Sequence, residues 1–367
     1  MERYEKTAMK KDNVIILTAF GILILIISFI IGKINIMHKQ GYTLYPLEDG
    51  NVYEDNNYMI GGKVSICAPL SKKTAEYLHK QLKNAFPEVT VLIDCVDSAT
   101  IRKNLMSISE GQNIGYDIIM ADGTYLAAYL KEQEVLQPYK TPEAEMLVEY
   151  YDIDGYWYPL GMNQLVLSYN PDFYPKNKIA NSFRGLIDDP LMYRKFAIPD
   201  PENDISGLIT VIALGTHYGT EYFDGMIKQE VSLETQEEGI EKLINGEYKI
   251  MVLDERTALK RKAVSNDIEI LYPSDLKVSI PLINMIIKEE YSANKNVEVC
   301  EMITDWFLSR SGQKCFLGEY LRSTRTDMNS TSRTKRSVNE EEGKWQHNYE
   351  NMHEIYMEFC RRLQENE

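Results

Sequence analysis

The sequence predicts an α/β chain of two lobes, preceded by one transmembrane helix, and three observations predict it. An uncharged run rich in Ile and Leu occupies residues 13–32. From Gly62 onward, short apolar strands alternate with helical segments, the pattern of a parallel sheet with right-handed crossovers. One long apolar, β-branched and aromatic run, Tyr158–Tyr169, then interrupts the alternation before a second α/β unit begins, as a strand crossing between lobes would.

Composition bounds the rest. The chain has 367 residues, 44% of them hydrophobic and 10% aromatic, enough apolar surface for a buried core and enough length for more than one compact unit. Its formal net charge is −15, with no dense Lys/Arg stripe to neutralise phosphates, so nucleic acid is not an expected partner. The short basic cluster Arg333, Lys335 and Arg336 is followed by Glu340, Glu341 and Glu342 and reads as a solvated loop.

Taken in order, residues 1–12 read as a cytoplasmic tail and 13–32 as a transmembrane anchor. At a rise of about 1.5 Å per residue the run just crosses a hydrocarbon core of about 30 Å. A cleavable signal would have a shorter apolar region of roughly 7 to 15 residues and a small-residue cleavage site. Here the run leaves through Gly32-Lys33-Ile34-Asn35, and no cysteine follows for lipid attachment. Arg3, Lys6, Lys10 and Lys11 precede it, against Lys33 and Lys39 after it, so the N-terminus is expected inside and the bulk outside. The expected location is the cell membrane, single-pass, with an extracellular domain. Residues 33–61, polar and marked by turn signals at Pro46 and Asp49-Gly50, form a stalk.

Residues 62–159 are expected to build the first part of lobe 1, with strands at 63–67, 89–94 and 117–120 and helices at 72–86, 99–110 and 125–134. Residues 160–256 hold the crossing strand and lobe 2, with strands near 196–198 and 250–253 and helices at 206–218 and 237–245. Residues 257–367 return to lobe 1 through strands at 268–272 and 279–287 and helices at 297–309 and 312–320. A last amphipathic helix, 345–363, places Trp345, Tyr349, Met352, Tyr356 and Phe359 at helical spacing.

The chemistry-bearing residues point to binding. No HExxH, GxSxG, CxxC or phosphate-loop pattern occurs, and His38, His79, His217, His347 and His353 are dispersed, so no enzyme is expected. Cys67, Cys95, Cys300, Cys315 and Cys360 lack metal-ligand spacing and read as small buried hydrophobes, Cys300 with Cys315 being the one pair to test for a disulfide. No metal or cofactor is expected.

Helix starts after strand ends present backbone N–H groups and a positive dipole end, which suit an anionic ligand group. Four such places are Ser71 before the helix at 72, Ser98 before the helix near 101, Gly123-Thr124 before 125, and Ser206-Gly207 before 208. The same Ser and Thr residues also read as N-caps, and a cap can serve a ligand as well. Asp254 and Glu255, at a strand end, are candidates to accept from sugar hydroxyls or to pair with a ligand ammonium. Their other reading, with Arg256, is a surface charge cluster at the hinge. Asn163 on the crossing strand completes the candidate ligand-binding set.

Several segments carry a resemblance: Val64-Ser-Ile-Cys-Ala-Pro-Leu-Ser71, Tyr116-Asp-Ile-Ile-Met-Ala-Asp-Gly123, Leu130-Lys-Glu-Gln-Glu-Val-Leu-Gln-Pro-Tyr139, Asp154-Gly-Tyr-Trp-Tyr-Pro159, Leu167-Ser-Tyr-Asn-Pro171, Ile198-Pro-Asp-Pro-Glu-Asn203 with Ser206-Gly207, and Trp306-Phe-Leu-Ser-Arg-Ser-Gly-Gln313. Their order and spacing, over about residues 63–359, resemble bacterial extracellular solute-binding proteins of the iron, phosphonate, thiamine and sugar-phosphate group. The resemblance implies a type II periplasmic-binding-protein-like fold with a central ligand cleft that closes on its ligand. It implies capture of a small polar or anionic solute, phosphonate- or sugar-phosphate-like, for the permease of an ABC importer. The alternative is a ligand-sensing receptor subunit partnering a membrane sensor kinase. Iron-binding members carry paired tyrosines after the strand that closes lobe 2. The corresponding stretch here, Tyr248-Lys-Ile-Met-Val-Leu-Asp-Glu-Arg256, has no adjacent tyrosines, so ferric iron is not the expected ligand.

Overall fold

The computed structural model describes residues 61–108, 111–328 and 348–366. The expected tail, anchor and nearly all of the stalk, and the basic cluster at Arg333, lie outside the described residues. Among the described residues, no helix is long and apolar enough to cross a membrane.

Lobe 1 begins with β1 (Gly62–Ala68), α1 (Lys72–Ala85), β2 (Val89–Cys95), α2 (Ser98–Met106), β3 (Ile118–Asp122) and α3 (Tyr125–Glu132). β1 pairs in parallel with β2 on one side and β3 on the other. The short β4 (Leu136–Gln137) follows, and β5 (Tyr158–Tyr169) then crosses the molecule. Lobe 2 comprises α4 (Phe183–Asp188), β6 (Phe196–Pro199), α5 (Ile205–Tyr218), α6 (Tyr222–Lys228), β7 (Ser232–Glu234), α7 (Gln236–Ile244), β8 (Ile250–Asp254), α8 (Glu255–Val264) and β9 (Glu269–Leu271). The chain returns through β10 (Ser279–Ile287) to α9 (Val297–Leu308) and α10 (Arg310–Phe316), and ends in α11 (Tyr349–Gln364). Trp345, expected in that last helix, lies outside the described residues.

One sheet path, β2-β1-β3-β10-β5-β8-β6-β7, runs through both lobes. All of β5 is buried, and it changes partner midway: Tyr158 to Gln164 run antiparallel to β10, and Leu165 to Ser168 antiparallel to β8. The apolar cores divide at the same level. Met162 and Ile283 belong to the lobe 1 core, Leu165 and Ile280 to that of lobe 2. Two neighbouring strands therefore pass from one core to the other side by side, which is the geometry of a hinge.

Sequence pattern explains where helices were legible. In α5 ten of fourteen residues are buried, each large aliphatic side chain contributing about 1.5–3 kcal/mol. α8 buries only Glu255 and Ala258, so no apolar stripe announces it. The short α4 and α6 are likewise absent from the sequence reading. Cys300 on α9 and Cys315 on α10 are both buried free thiols, as small hydrophobes would be.

The last helix touches both lobes. Met352 packs with Tyr125 and Ala128 of α3 and with Leu208 and Ile212 of α5. Farther along, Phe359 enters the lobe 2 core, its ring 5.2 Å from that of Phe223.

Candidate functional site

A cavity of about 470 Å³ lies between the lobes beside the point where β5 changes partner. Such a volume suits a small molecule. Five of the nine candidate residues line it: Ser71 and Ser98 from lobe 1, Asn163 at the hinge, and Ser206 and Asp254 from lobe 2. The other four stand behind the wall. Gly123, at φ +74°, makes the turn out of β3, and a Cβ there would meet Ile209 Cδ1 at 2.5 Å. Thr124 is the buried N-cap residue of α3. Gly207 lets α5 start against the end of β6, where a Cβ would stand 2.1 Å from the Pro199 carbonyl oxygen. Glu255 is 5% exposed and accepts from Arg322 Nη1 at 2.7 Å and from the Tyr272 hydroxyl.

The helix starts facing the cavity carry carboxylates of the chain itself. At α1, Ser71 caps by accepting from Thr74 N, and its own N donates to Glu319 Oε1 at 3.0 Å. At α2 the cap is Asp97, accepting from Thr100 N at 2.9 Å. At α5 it is Asp204, whose Oδ1 accepts from Ser206 N at 2.7 Å and Gly207 N at 3.4 Å. At α8 it is Asp254, accepting from Thr257 N at 3.0 Å. Ser98 and Ser206 are thus not the caps the sequence reading offered. Ser98 Oγ donates instead to Asp122 Oδ2 at 2.8 Å, and Ser206 Oγ donates to Asp204 Oδ1 at 2.5 Å. Asp caps a helix as well as Ser does, and the Asp one or two residues upstream was the available signal.

The most consequential residue outside the candidate set is Arg256. It does not fit the alternative of a surface cluster: it is mostly buried, 15% of its side chain exposed, and donates from Nη2 to Asp122 Oδ2 at 2.8 Å across the lobes. Its partner lies 134 residues away, so no local pattern could announce the pair. Lys260 Nζ makes a second cross-lobe pair, 2.6 Å from Glu319 Oε2. Asn163 ties the hinge to this network, donating to Asp254 Oδ1 at 2.7 Å and accepting from Arg256 N at 3.1 Å. Gln236 Nε2 donates to Asp204 Oδ2 at 2.8 Å and reaches Asp254 Oδ2 at 3.4 Å.

These contacts set the charges. Burial pushes Asp204 above the usual carboxylate range; the Ser206 hydrogen bond opposes that, and the Asp254 charge adds to it. Burial also pushes Asp254 up, but Arg256, Thr257 and Asn163 outweigh it and hold it below the usual range. Glu319, pushed up by burial, is brought down to about 2 by Lys260, Ser71 and Thr74. Two atoms on the cavity-lining side chains, Asp122 Oδ1 and Arg256 Nη1, are buried with no hydrogen-bond partner among the described residues. Buried polar atoms are normally paired, so an acceptor and a donor stay available here. No group of three His, Cys, Asp or Glu among the described residues is arranged to hold a metal ion.

Residues 113–345 match the family described as bacterial extracellular solute-binding protein. No curated protein matches the chain. Among solved structures, iron-bound HitA from Pseudomonas aeruginosa superposes with a TM-score of 0.68 at 14% identity, covering 81% of this chain and 99% of its own. The periplasmic binding protein AfuA from Actinobacillus pleuropneumoniae, with exogenous fructose-6-phosphate bound, gives a TM-score of 0.68 at 16% identity, covering 83% of this chain and 99% of its own. A protein described as a two-component system protein mediating signal transduction gives a TM-score of 0.64 at 18% identity, covering 82% of this chain and 99% of its own. At these identities the superpositions report the fold.

Proposed function

We propose, from the premise that this chain belongs to the bacterial extracellular solute-binding protein family, that its cleft captures one small polar solute outside the cytoplasm and delivers it to the membrane permease of an ABC importer. The observation that carries this reading is the cavity between two lobes hinged on β5 and β10, with polar side chains contributed from both sides. Ser71, Ser98, Asn163, Ser206 and Asp254 are proposed to contact the solute directly. Gly123, Thr124, Gly207 and Glu255 are proposed to support them from behind. Residues 13–32 are proposed to hold the domain at the outer face as an uncleaved anchor, with the N-terminus cytoplasmic.

A phosphonate- or sugar-phosphate-like anion is the ligand class that the family resemblance implies and that open helix starts suit, and AfuA is described with fructose-6-phosphate. The starts of α1, α2, α5 and α8 meet carboxylates of this chain, which weakens that physical ground. The second reading, a receptor subunit reporting to a sensor kinase, draws on the likeness to a two-component system protein. Loss of solute uptake on deletion with signalling intact favours transport; the converse favours sensing.

The test takes the full chain. It should resist alkaline extraction from membranes. Against a library of sugars, phosphates, phosphonates, amino acids and amines, at least one compound should raise its melting temperature, a stabilisation of about 2.7 kcal/mol at one hundred times Kd. A folded protein stabilised by no compound would rule out solute capture.

A further inference from the structure

Resting on the solute-binding reading, we infer that the solute carries an ammonium group, taken up by Asp122 from lobe 1 and Asp204 from lobe 2. Five carboxylates line the cavity, Asp97, Asp122, Asp204, Asp254 and Glu319, against the two cations Arg256 and Lys260, a formal charge of −3. Both cations are already committed: Lys260 lies on Glu319 at 2.6 Å, and Arg256 on Asp122 at 2.8 Å with Asp254 at 3.9 Å. No cation remains among the lining residues to neutralise Asp204, whose only bridge to Asp254 is the neutral amide of Gln236. An incoming anion would add to that excess and find the helix starts occupied.

A second observation points the same way. Asp122 is 3% exposed and its Oδ1 has no partner among the described residues, so a buried acceptor is left for a donor. An ammonium group supplies both the donor and the charge that offsets the carboxylate excess. A hydroxyl would supply the donor and leave the excess charge. A bare metal ion is disfavoured because the carboxylates do not converge as a ligand set among the described residues. Arg256 Nη1, a donor without a partner among the described residues, takes a neutral acceptor atom of the same solute, such as a hydroxyl oxygen. Asp122 and Asp204 come from different lobes, so a positive charge bound in the cavity attracts both walls.

The experiment uses matched pairs on the full chain: putrescine against 1,4-butanediol, ethanolamine against ethylene glycol, and glucosamine against glucose, with inorganic phosphate and methylphosphonate as the anion arm. At least one amine should raise the melting temperature while its hydroxyl counterpart and both anions do not. Asp204→Asn should weaken that amine by about 10-fold or more, as should Asp122→Asn. Asn caps a helix as well as Asp, so Asp204→Asn keeps the start of α5. The proposal is overturned if an anion or a neutral compound stabilises the protein and no amine does, or if both variants bind the amine as tightly as the native chain. The first of those results leaves solute capture standing; silence from every compound sinks both.

Discussion

Asp305 shows how a single buried side chain ties stability to pH. It sits on α9, 3% exposed, accepting from Tyr139 Oη at 2.8 Å and Thr141 Oγ1 at 2.5 Å. Burial raises its pKa to about 6 from 3.8, the Thr141 and Tyr139 hydrogen bonds opposing and the Glu143 charge assisting. A carboxyl whose folded pKa lies above its unfolded one contributes stability that is fully present below about 3.8 and lost as pH rises through about 6. The difference amounts to roughly 3 kcal/mol. Asp305→Asn should therefore gain on the native chain as pH rises from roughly 4 to 7, read as the gap between their urea midpoints. A gap independent of pH would mean that Asp305 is not the group responsible. Glu255 belongs at this scale too. Its carboxylate and Arg322 are both 5% exposed, and the pair joins the first residue of α8 to a residue hydrogen-bonded to Met162 on β5.

Among the elements, the clearest constraint is the contact of α5 with β6. Gly207 allows it, and Gly207→Ala would press a methyl group into the Pro199 carbonyl. Overpacking of that kind costs about 1–3 kcal/mol, to be read as a lower denaturation midpoint. An unchanged midpoint would show that the end of β6 yields freely. This scale also marks what could be read from the sequence. Apolar strands and striped helices were legible because their period is local: β1, β3, β5, β8, β10, α1 and α5 all fall where alternation or clustering of apolar residues placed them. The charged α8 was not, since its sequence ERTALKRKAV carries no stripe. Among the cavity-lining residues, Ser71, Ser98, Ser206 and Asp254 were legible as polar residues at element ends, and Asn163 as a polar residue within the crossing strand. Arg256, Lys260, Asp122 and Glu319 were not, because their significance lies in pairs formed between lobes across 59 and 134 residues of chain. Local periodicity holds no trace of such pairs.

For the molecule as a whole, polar contacts at the cleft join the lobes beside the apolar cluster that Met352 completes between α3 and α5. Arg102 Nη2 donates to the Pro201 carbonyl at 3.3 Å, Lys103 Nζ to Asn203 Oδ1 at 2.6 Å, and the two cross-lobe ion pairs lie deeper. Polar contacts of this kind re-form with water when the hinge opens, so the balance between open and closed forms is open to a ligand's influence. Solution scattering should show a smaller radius of gyration with a stabilising solute than without. Arg102→Ala should lower apparent affinity by reducing the closed fraction while leaving the cavity wall intact. Identical scattering curves with and without the solute would argue for a rigid receptor.

The last helix acquires a role from where it sits. Near its start, His353 Nδ1 lies 2.9 Å from the Tyr125 hydroxyl, and Tyr349 packs on the rings of Tyr125 and Tyr129, all on lobe 1. Near its end, Phe359 is sunk in lobe 2. A rod that packs against two lobes along its length cannot keep all its contacts when one lobe turns against the other. A change of cleft angle would therefore slide or tilt α11 against at least one lobe, carrying the movement to a face away from the cavity lining.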